Sequence, residues 1–175
     1  MKIMNTNTSS LVANATLQGW KEYQDQLVVV VRPLTREQLA LRVAPNLRSA
    51  GEIAAHLVAG RASWFFEILK EKAGDDELAA FTHWDRSNQP ARTADELAHG
   101  LEVTWALMQD ALSRWTPAEL TESIVLPWIG PKYPITRAWV SWHVLEHDLH
   151  HGGELTQTLG LSDPSVKLPP PPPDV

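Results

Sequence analysis

Apolar residues recur every three or four positions along four long stretches of the chain, which is the spacing of helices that bury one face. Within the first stretch, the run from Leu27 to Val31 has the composition of a strand. Because the flanks of this run keep the helical spacing and no turn residue separates them, we assign it to the helix. The predicted long helices cover residues 10–32, 49–72, 93–114 and 135–159.

Helix starts are marked by capping boxes, in which Ser or Thr is followed three residues later by Glu or Gln and each side chain bonds the other residue's backbone N–H. Gly160 stands where a glycine commonly follows the last helical residue, so we expect the fourth helix to end before it. Capping boxes begin at Thr35, Ser49, Thr93 and Thr116.

The pattern predicts an all-α protein, a four-helix bundle with long crossover connections. Residues 75–92 are expected to form a connector with one short helix, and residues 124–134, rich in Pro and Gly, a crossover loop. A chain of 175 residues suits one domain. We divide it into a flexible N-terminus at 1–9, the bundle at 10–161 and a Pro-rich tail at 162–175.

The composition of the chain limits which kinds of partner and ligand the protein can have. The net charge of -6 argues against a nucleic acid, which would require a basic face. No apolar stretch approaches the roughly 18 residues of a membrane span, and the first ten residues lack the apolar segment of a signal peptide. The absence of cysteine excludes disulfides and thiolate ligands, which fits a cytoplasmic protein and leaves histidine as the main ligand for a transition metal.

Four of the seven histidines fall between His143 and His151. Side chains four residues apart on a helix lie on one face, so His147 and His151 can hold a metal between them. A neighbouring helix could supply a third ligand and leave one coordination position open. Glu154 projects onto the same face, whereas His150 lies on its flank and is expected to face solvent. Apolar residues expected to border this face are Ile135, Trp139, Trp142 and Leu149.

A metal-free interpretation also fits these residues. His56 lies on the apolar stripe of the second long helix, with Ile53 and Leu57, and a lone histidine there is more often a hydrogen-bonded core residue. Several imidazoles beside a core, however, are costly to desolvate. A metal removes that cost, because neutral imidazole becomes a ligand while its other N–H finds an acceptor. His83 and His99 receive no role.

Two segments resemble the DinB/YfiT-like metalloenzymes of the DinB superfamily. Ser-Ala-Gly-Glu-Ile-Ala-Ala-His56-Leu resembles their second-helix histidine segment, and Glu-His147-Asp-Leu-His-His151-Gly-Gly-Glu-Leu resembles their fourth-helix signature, His-x-x-x-His-x-Gly-Gln. The resemblance extends over about residues 9–161. It implies an up-down-down-up bundle, frequently a dimer, in which His56, His147 and His151 bind a divalent metal. The chain departs from the signature at Glu154, where the family often has Gln.

We therefore predict a divalent-metal-dependent enzyme of a small-molecule substrate, with zinc favoured and nickel next. The resemblance implies a thiol-dependent transferase that uses a low-molecular-weight thiol, and hydrolysis is the other reaction considered. Catalytic residues are not identified; Glu154 and His143 are the candidates. The alternative function is a non-catalytic, metal-stabilised dimeric bundle or ligand-binding module. A homodimer is expected in either case, because Trp-rich surfaces on long helices favour association.

Overall fold

The computed structural model describes residues 6–126, 128, 130, 132 and 134–162, with side chains from residue 10 onward. Helices make up most of this part of the chain, as predicted. The α-helices are α1 (Thr6–Val31), α2 (Arg36–Leu39), α3 (Ala50–Ala62), α4 (Asp76–Phe81), α5 (Ala94–Arg114), α6 (Pro117–Thr121) and α7 (Arg137–Gly160). Two short strands, β1 (Ser123–Ile124) and β2 (Ile135–Thr136), pair antiparallel.

The helix boundaries differ from the predictions at both ends of the chain. α1 begins at Thr6, four residues early, because no Pro or Gly interrupts the segment before residue 10. α7 begins at Arg137, since the two residues before it pair with β1 and close the predicted loop 124–134 at its base. α7 also includes Gly160 instead of ending before it. The Pro-rich tail after residue 162 lies outside the described residues, so its conformation stays a prediction.

All four predicted capping boxes are confirmed. At the start of α3, Glu52 N–H donates to Ser49 Oγ at 3.2 Å, and Ser49 N–H donates to a Glu52 carboxylate oxygen at 2.8 Å. These bonds satisfy N–H groups that the first turn of a helix leaves without partners. They therefore set where α3 begins, and so how far along it His56 lies.

The second long helix does not continue as an α-helix to residue 72. Beyond Ala62 it widens into a π-helix, Ser63–Ile68, in which Leu69 N–H donates to Trp64 O at 3.0 Å. Phe65 is fully buried here and stacks on Trp115, with ring centroids 5.6 Å apart. Such wide turns are often found at functional sites. This one presents Trp64 to the histidine-bearing helix α7.

α3 is buried on nearly every side, since it packs against both α5 and α7. Its residues are mostly small or aliphatic, which allows close approach of both neighbours. α1 packs against α5 on the other side of the core. Fully buried aliphatic side chains of the core include Leu27, Ile53, Leu57, Leu97, Leu101, Leu107, Leu155 and Leu159.

A buried ion pair joins α3 to α7. Arg61 and Asp148 are both fully buried, and the guanidinium donates to the carboxylate through Nη2 at 2.9 Å and Nε at 3.0 Å. From α1, Trp20 Nε1–H donates to Asp148 at 2.7 Å, and Gln24 accepts from Arg61 Nη1 at 2.6 Å. Gln24 in turn donates to Leu101 O of α5. One hydrogen-bonded cluster thus connects all four long helices.

Three of the four apolar residues predicted to border the histidine face are exposed. Trp139, Trp142 and Leu149 are 41 %, 62 % and 48 % exposed, and Ile135 lies in β2. The buried side of α7 is the opposite flank, where Asp148 lies among apolar side chains. Those apolar side chains are Val140, Val144, Leu155 and Leu159. The histidines therefore lie at the margin of the buried stripe, not at its centre. None of the described helices has the length and apolarity needed to cross a bilayer.

Replacing one member of the buried ion pair is expected to destabilise the protein strongly. Asp148→Leu leaves the Arg61 guanidinium uncompensated, so we expect the free energy of unfolding in urea to fall by about 3–5 kcal/mol. The double variant Arg61→Met/Asp148→Leu removes both charges and should lose less than Asp148→Leu alone. A double variant that loses the sum of the two single effects would show that the charges do not act as a pair.

Candidate metal centre

Three imidazoles meet between α3 and α7. His56 of α3 lies against His147 and His151 of α7, with ring centroids 4.8 and 4.5 Å away, and the two α7 rings are 4.5 Å apart. One nitrogen of each ring lies within 4.8 Å of the corresponding nitrogen of the other two. The structure thus brings together the three histidines that the sequence singles out. The group could hold a metal ion.

The nitrogen spacing suits a single small ion. His147 Nε2 is 3.1 Å from His56 Nε2. Two ligands at 2.0–2.1 Å from a tetrahedral zinc are about 3.4 Å apart, so a shift of a few tenths of an ångström would accommodate it. Three imidazoles are also the donor set of open zinc sites, in which the fourth position is free for another ligand. The residues present therefore fit a divalent transition metal.

Two carboxylates orient two of the rings. His56 Nδ1 is 2.8 Å from Asp85 Oδ2, and His151 Nδ1 is 2.8 Å from Glu154 Oε2. When Nδ1–H donates to a carboxylate, Nε2 is left as the lone-pair nitrogen, and the imidazole becomes a better ligand. His147 differs, because its Nδ1 is buried with no hydrogen-bond partner in the described part of the chain.

Burial favours the neutral imidazoles of His147 and His151, because it lowers the pKa of both rings. Burial, and after it the neighbouring rings of His151 and His56, lower the pKa of His147 to about 3. Burial also lowers the pKa of His151, and the hydrogen bond to Glu154 opposes this only in part. Both rings therefore carry an available lone pair at neutral pH, as metal ligation requires.

A glycine on α3 makes room for the central ring. A Cβ at Gly60 would lie 2.7 Å from His147 Cε1 and 3.1 Å from Nε2. Since real Cβ atoms do not approach other atoms this closely, any side chain at Gly60 would displace the imidazole. Gly60 follows His56 by four residues, so the two lie on one face of α3. On that face, His56 supplies one ring and Gly60 leaves space for the His147 ring.

The other candidate residues lie around this cluster. His143 is outside the three-ring group: it stacks on Trp139 at 4.9 Å and meets the edge of Trp64 at 4.8 Å. His150 is exposed, as predicted, although it forms a second group of possible ligands with His151 and Glu154. The two histidines without a predicted role bond to residues outside the cluster, His83 to Thr82 and His99 to Glu77.

Sequence reasoning missed four residues that shape the site. Asp85 lies in the connector, 29 residues from His56, where no spacing rule connects them. Gly60 and Arg61 lie within a helix and belong to no motif that would point to the site. Asp148 could have been found, because a helical projection places it in the middle of the aliphatic stripe of α7, where an unpaired carboxylate is costly. Such a position predicts a buried cationic partner.

Comparison with known proteins identifies the family. The model of the DinB superfamily matches residues 20–155 of the chain. The chain belongs to the DinB superfamily. Among curated proteins, none matches the sequence.

Two solved structures of DinB-like proteins have a similar fold. The structure of the protein from Bacillus cereus has a TM-score of 0.65 and 22% sequence identity, over 88% of this chain and 95% of that one. A DinB-like protein from Bacillus subtilis has a TM-score of 0.57 and 19% identity, over 83% of this chain and 90% of that one. At these identities the likeness concerns the fold.

The metal-free protein is expected to lose stability in acid. The unfolded chain binds a proton at His147 near the ordinary pKa of about 6.5, whereas the folded chain binds it only near a pKa of about 3. The free energy of unfolding should therefore fall as the pH drops below about 6.5. Urea unfolding with a chelator present measures this fall between pH 7 and pH 5. The free energy of unfolding should fall less in His147→Asn than in the wild type. An identical fall would show that His147 is not buried in neutral form.

Gly60→Ala separates metal affinity from stability. Alanine favours a helix over glycine by about 1 kcal/mol, which offsets part of the cost of moving the His147 ring, so the metal-free variant should melt close to the wild type. The new methyl group displaces His147, so zinc affinity in a chelator competition should fall about tenfold or more. Gly153→Ala, on α7 where a Cβ meets nothing within 4 Å, is the matched control. Unchanged affinity in Gly60→Ala would contradict the close approach.

Proposed function

We propose that the protein is a divalent-metal-dependent enzyme acting on a small molecule, with His56, His147 and His151 as the metal ligands. The observation that supports this most strongly is the convergence of three imidazoles, two of them oriented by Asp85 and Glu154. Zinc is the preferred metal and nickel the next, since imidazole suits both.

The residues around the proposed ion would have different roles. His56, His147 and His151 would hold it, and Asp85 and Glu154 fix the orientation of two of these rings. A bound divalent ion would supply Lewis acidity, which polarises a carbonyl or eases proton loss from a thiol or water. Glu154, 30 % exposed and bonded to His151, and His143, one turn before His147, are the candidates for proton transfer.

Two reaction classes are open: a thiol-dependent transfer, which the family resemblance suggests, and a hydrolysis. The chain contains no cysteine, so a thiol would have to come from a low-molecular-weight partner. We favour neither class over the other. A divalent ion held by the three histidines would serve both, because each reaction begins with a nucleophile that must lose a proton.

A second candidate function is a non-catalytic, metal-stabilised dimer or ligand-binding module. It is favoured by the exposed apolar side chains on α7, Trp139, Trp142 and Leu149. Aromatic side chains are enriched in protein interfaces, so we propose that this surface of α7 contributes to a homodimer. We also propose that the four long helices run up-down-down-up and that the protein is cytoplasmic, as the family resemblance and the cysteine-free sequence suggest.

Metal titration of purified, untagged protein tests the ligand set. We expect one zinc per chain in the wild type. His147→Ala should lower zinc affinity by more than about 100-fold. Loss of a residue that only orients a ligand usually costs about 100-fold or less. His150→Ala, on the exposed flank of α7, should stay within a few-fold. Equal losses, measured by competitive chelator titration, would show that His147 is not the ligand proposed here.

Glu154→Gln tests the role of the carboxylate and the enzymatic proposal together. An amide still accepts a hydrogen bond from His151, so zinc affinity should fall by less than about 100-fold. Ester hydrolysis or thiol transfer, assayed with chromogenic substrates and small thiols, should change in pH profile. Turnover that persists in His147→Ala would refute metal-dependent catalysis. Tight zinc binding with no turnover across the substrate panel would favour the non-catalytic module.

A further inference from the structure

A large cavity lies beside the metal centre, at the N-terminal end of α3. Its volume is about 1030 Å³, and its walls come from the turn after α1, from α2 and the segment between α2 and α3, from the first two turns of α3 and from residues 84–95. Six of the nine arginines in the chain line it. They are Arg32, Arg36, Arg42, Arg48, Arg86 and Arg92.

The lining carries an excess of positive charge. Its carboxylates are Glu52, Asp85 and Asp95, which leaves a net charge of +3 within a chain whose net charge is -6. Two of the three already have partners, since Arg42 forms a two-pronged bond with Glu52 and His56 bonds Asp85. Arg32 and Arg92 pair with carboxylates outside the lining, Glu102 and Glu96, so the positive excess rests on the arginines that have no carboxylate partner.

Three of the arginines have no carboxylate partner within the described part of the chain. Within the described part of the chain, the side chains of Arg36, Arg48 and Arg86 form no hydrogen bond and no ion pair. Arg48 acts on Glu52 only at longer range, where it helps Arg42 to lower the pKa of that carboxyl. A guanidinium offers five N–H donors in a planar fork that matches phosphate and carboxylate oxygens. Donors on three separate segments thus border one concavity.

The helices themselves add to this field. α3 and α5 both begin at the cavity, with the capping residues Ser49 and Thr93 in its wall. The N-terminus of a long helix carries about half a positive charge. Both helix starts therefore add positive potential to the space of the arginines, where the carboxylates of Glu52 and Glu96 already bond the N–H groups of the capping residues.

The cavity also has an apolar wall. Leu34, Leu39, Ala55 and the indole of Trp84 line it, and the Arg92 guanidinium lies 4.7 Å from the centre of the Trp84 ring. Arg92 Nε is buried with no hydrogen-bond partner among the described residues. Inorganic phosphate alone would leave the apolar surface uncovered. A ligand that suits the whole cavity has charged oxygens at one part and an apolar body at another.

We propose that this cavity binds an organic anion with two or more oxyanion groups, phosphate or carboxylate, on an apolar body. The proposal rests on Arg36, Arg48 and Arg86, which line one concavity without a partner among the described residues, in a chain whose net charge is -6. Asp85 lies in the cavity wall and also bonds His56, so the cavity adjoins the metal centre. The binding stands whether or not the histidines hold a metal, because none of the arginines contacts them.

Calorimetry on the metal-free, full-length protein tests this binding in 150 mM NaCl. The probes are pyrophosphate for phosphate ligands, citrate for carboxylate ligands, and naphthyl phosphate against inorganic phosphate for the apolar wall. We expect one saturable site per chain for pyrophosphate, citrate or both, and tighter binding of naphthyl phosphate than of phosphate. The anion that binds identifies the source of the oxygens.

The matched variants decide where the anion binds. Arg48→Gln/Arg86→Gln should weaken binding at least tenfold, since each guanidinium supplies charge-assisted hydrogen bonds. The control Lys21→Gln/Arg114→Gln removes two charges outside the cavity and should change binding less than twofold. The four side chains lie on the surface, and thermal melting checks that each variant is folded. No binding of either anion, or equal weakening in the control, would overturn the proposal.

Discussion

The ion pair between Arg61 and Asp148 is the contact on which the site depends. Two fully buried charges must meet, because neither is tolerated alone in the core. Arg61 follows His56 by five residues on α3, and Asp148 is next to His147 on α7. The contact that satisfies the charges therefore fixes the rotation and height of α7 against α3, and with them the distance between the histidines. Trp20 and Gln24 of α1 add the bonds that complete the cluster.

Once α3 and α7 are aligned in this way, a few further residues shape the candidate metal centre. Gly60 leaves the space that the His147 ring fills, and burial keeps that ring neutral, with its pKa lowered to about 3. Asp85 and Glu154 hold the other two rings by their outer nitrogens. Burying three imidazoles costs the metal-free fold free energy, and an ion that used their lone pairs would offset that cost. Metal binding at this site would therefore be coupled to stability through the same three side chains.

Much of this could be predicted from the sequence, for reasons that differ between residues. Apolar spacing and capping boxes located the long helices because both are local signals, and the four-residue interval placed His147 and His151 on one face. His56 joined them only through the family resemblance. Asp85 could not be found, because its contact with His56 depends on how an irregular connector folds back. Periodicity also misjudged Trp142, since it shows that a helix has two faces but not which flank meets the core.

The central claim is that one ion is held by histidines from both α3 and α7. The most direct measurement is a crystal structure of zinc-soaked or zinc-grown protein with anomalous diffraction at the zinc edge. We expect one anomalous peak, about 2.0–2.1 Å from a nitrogen of each of His56, His147 and His151, with Asp85 still bonded to His56. A peak held by His150 and Glu154 instead, or no peak between the three rings, would contradict the account.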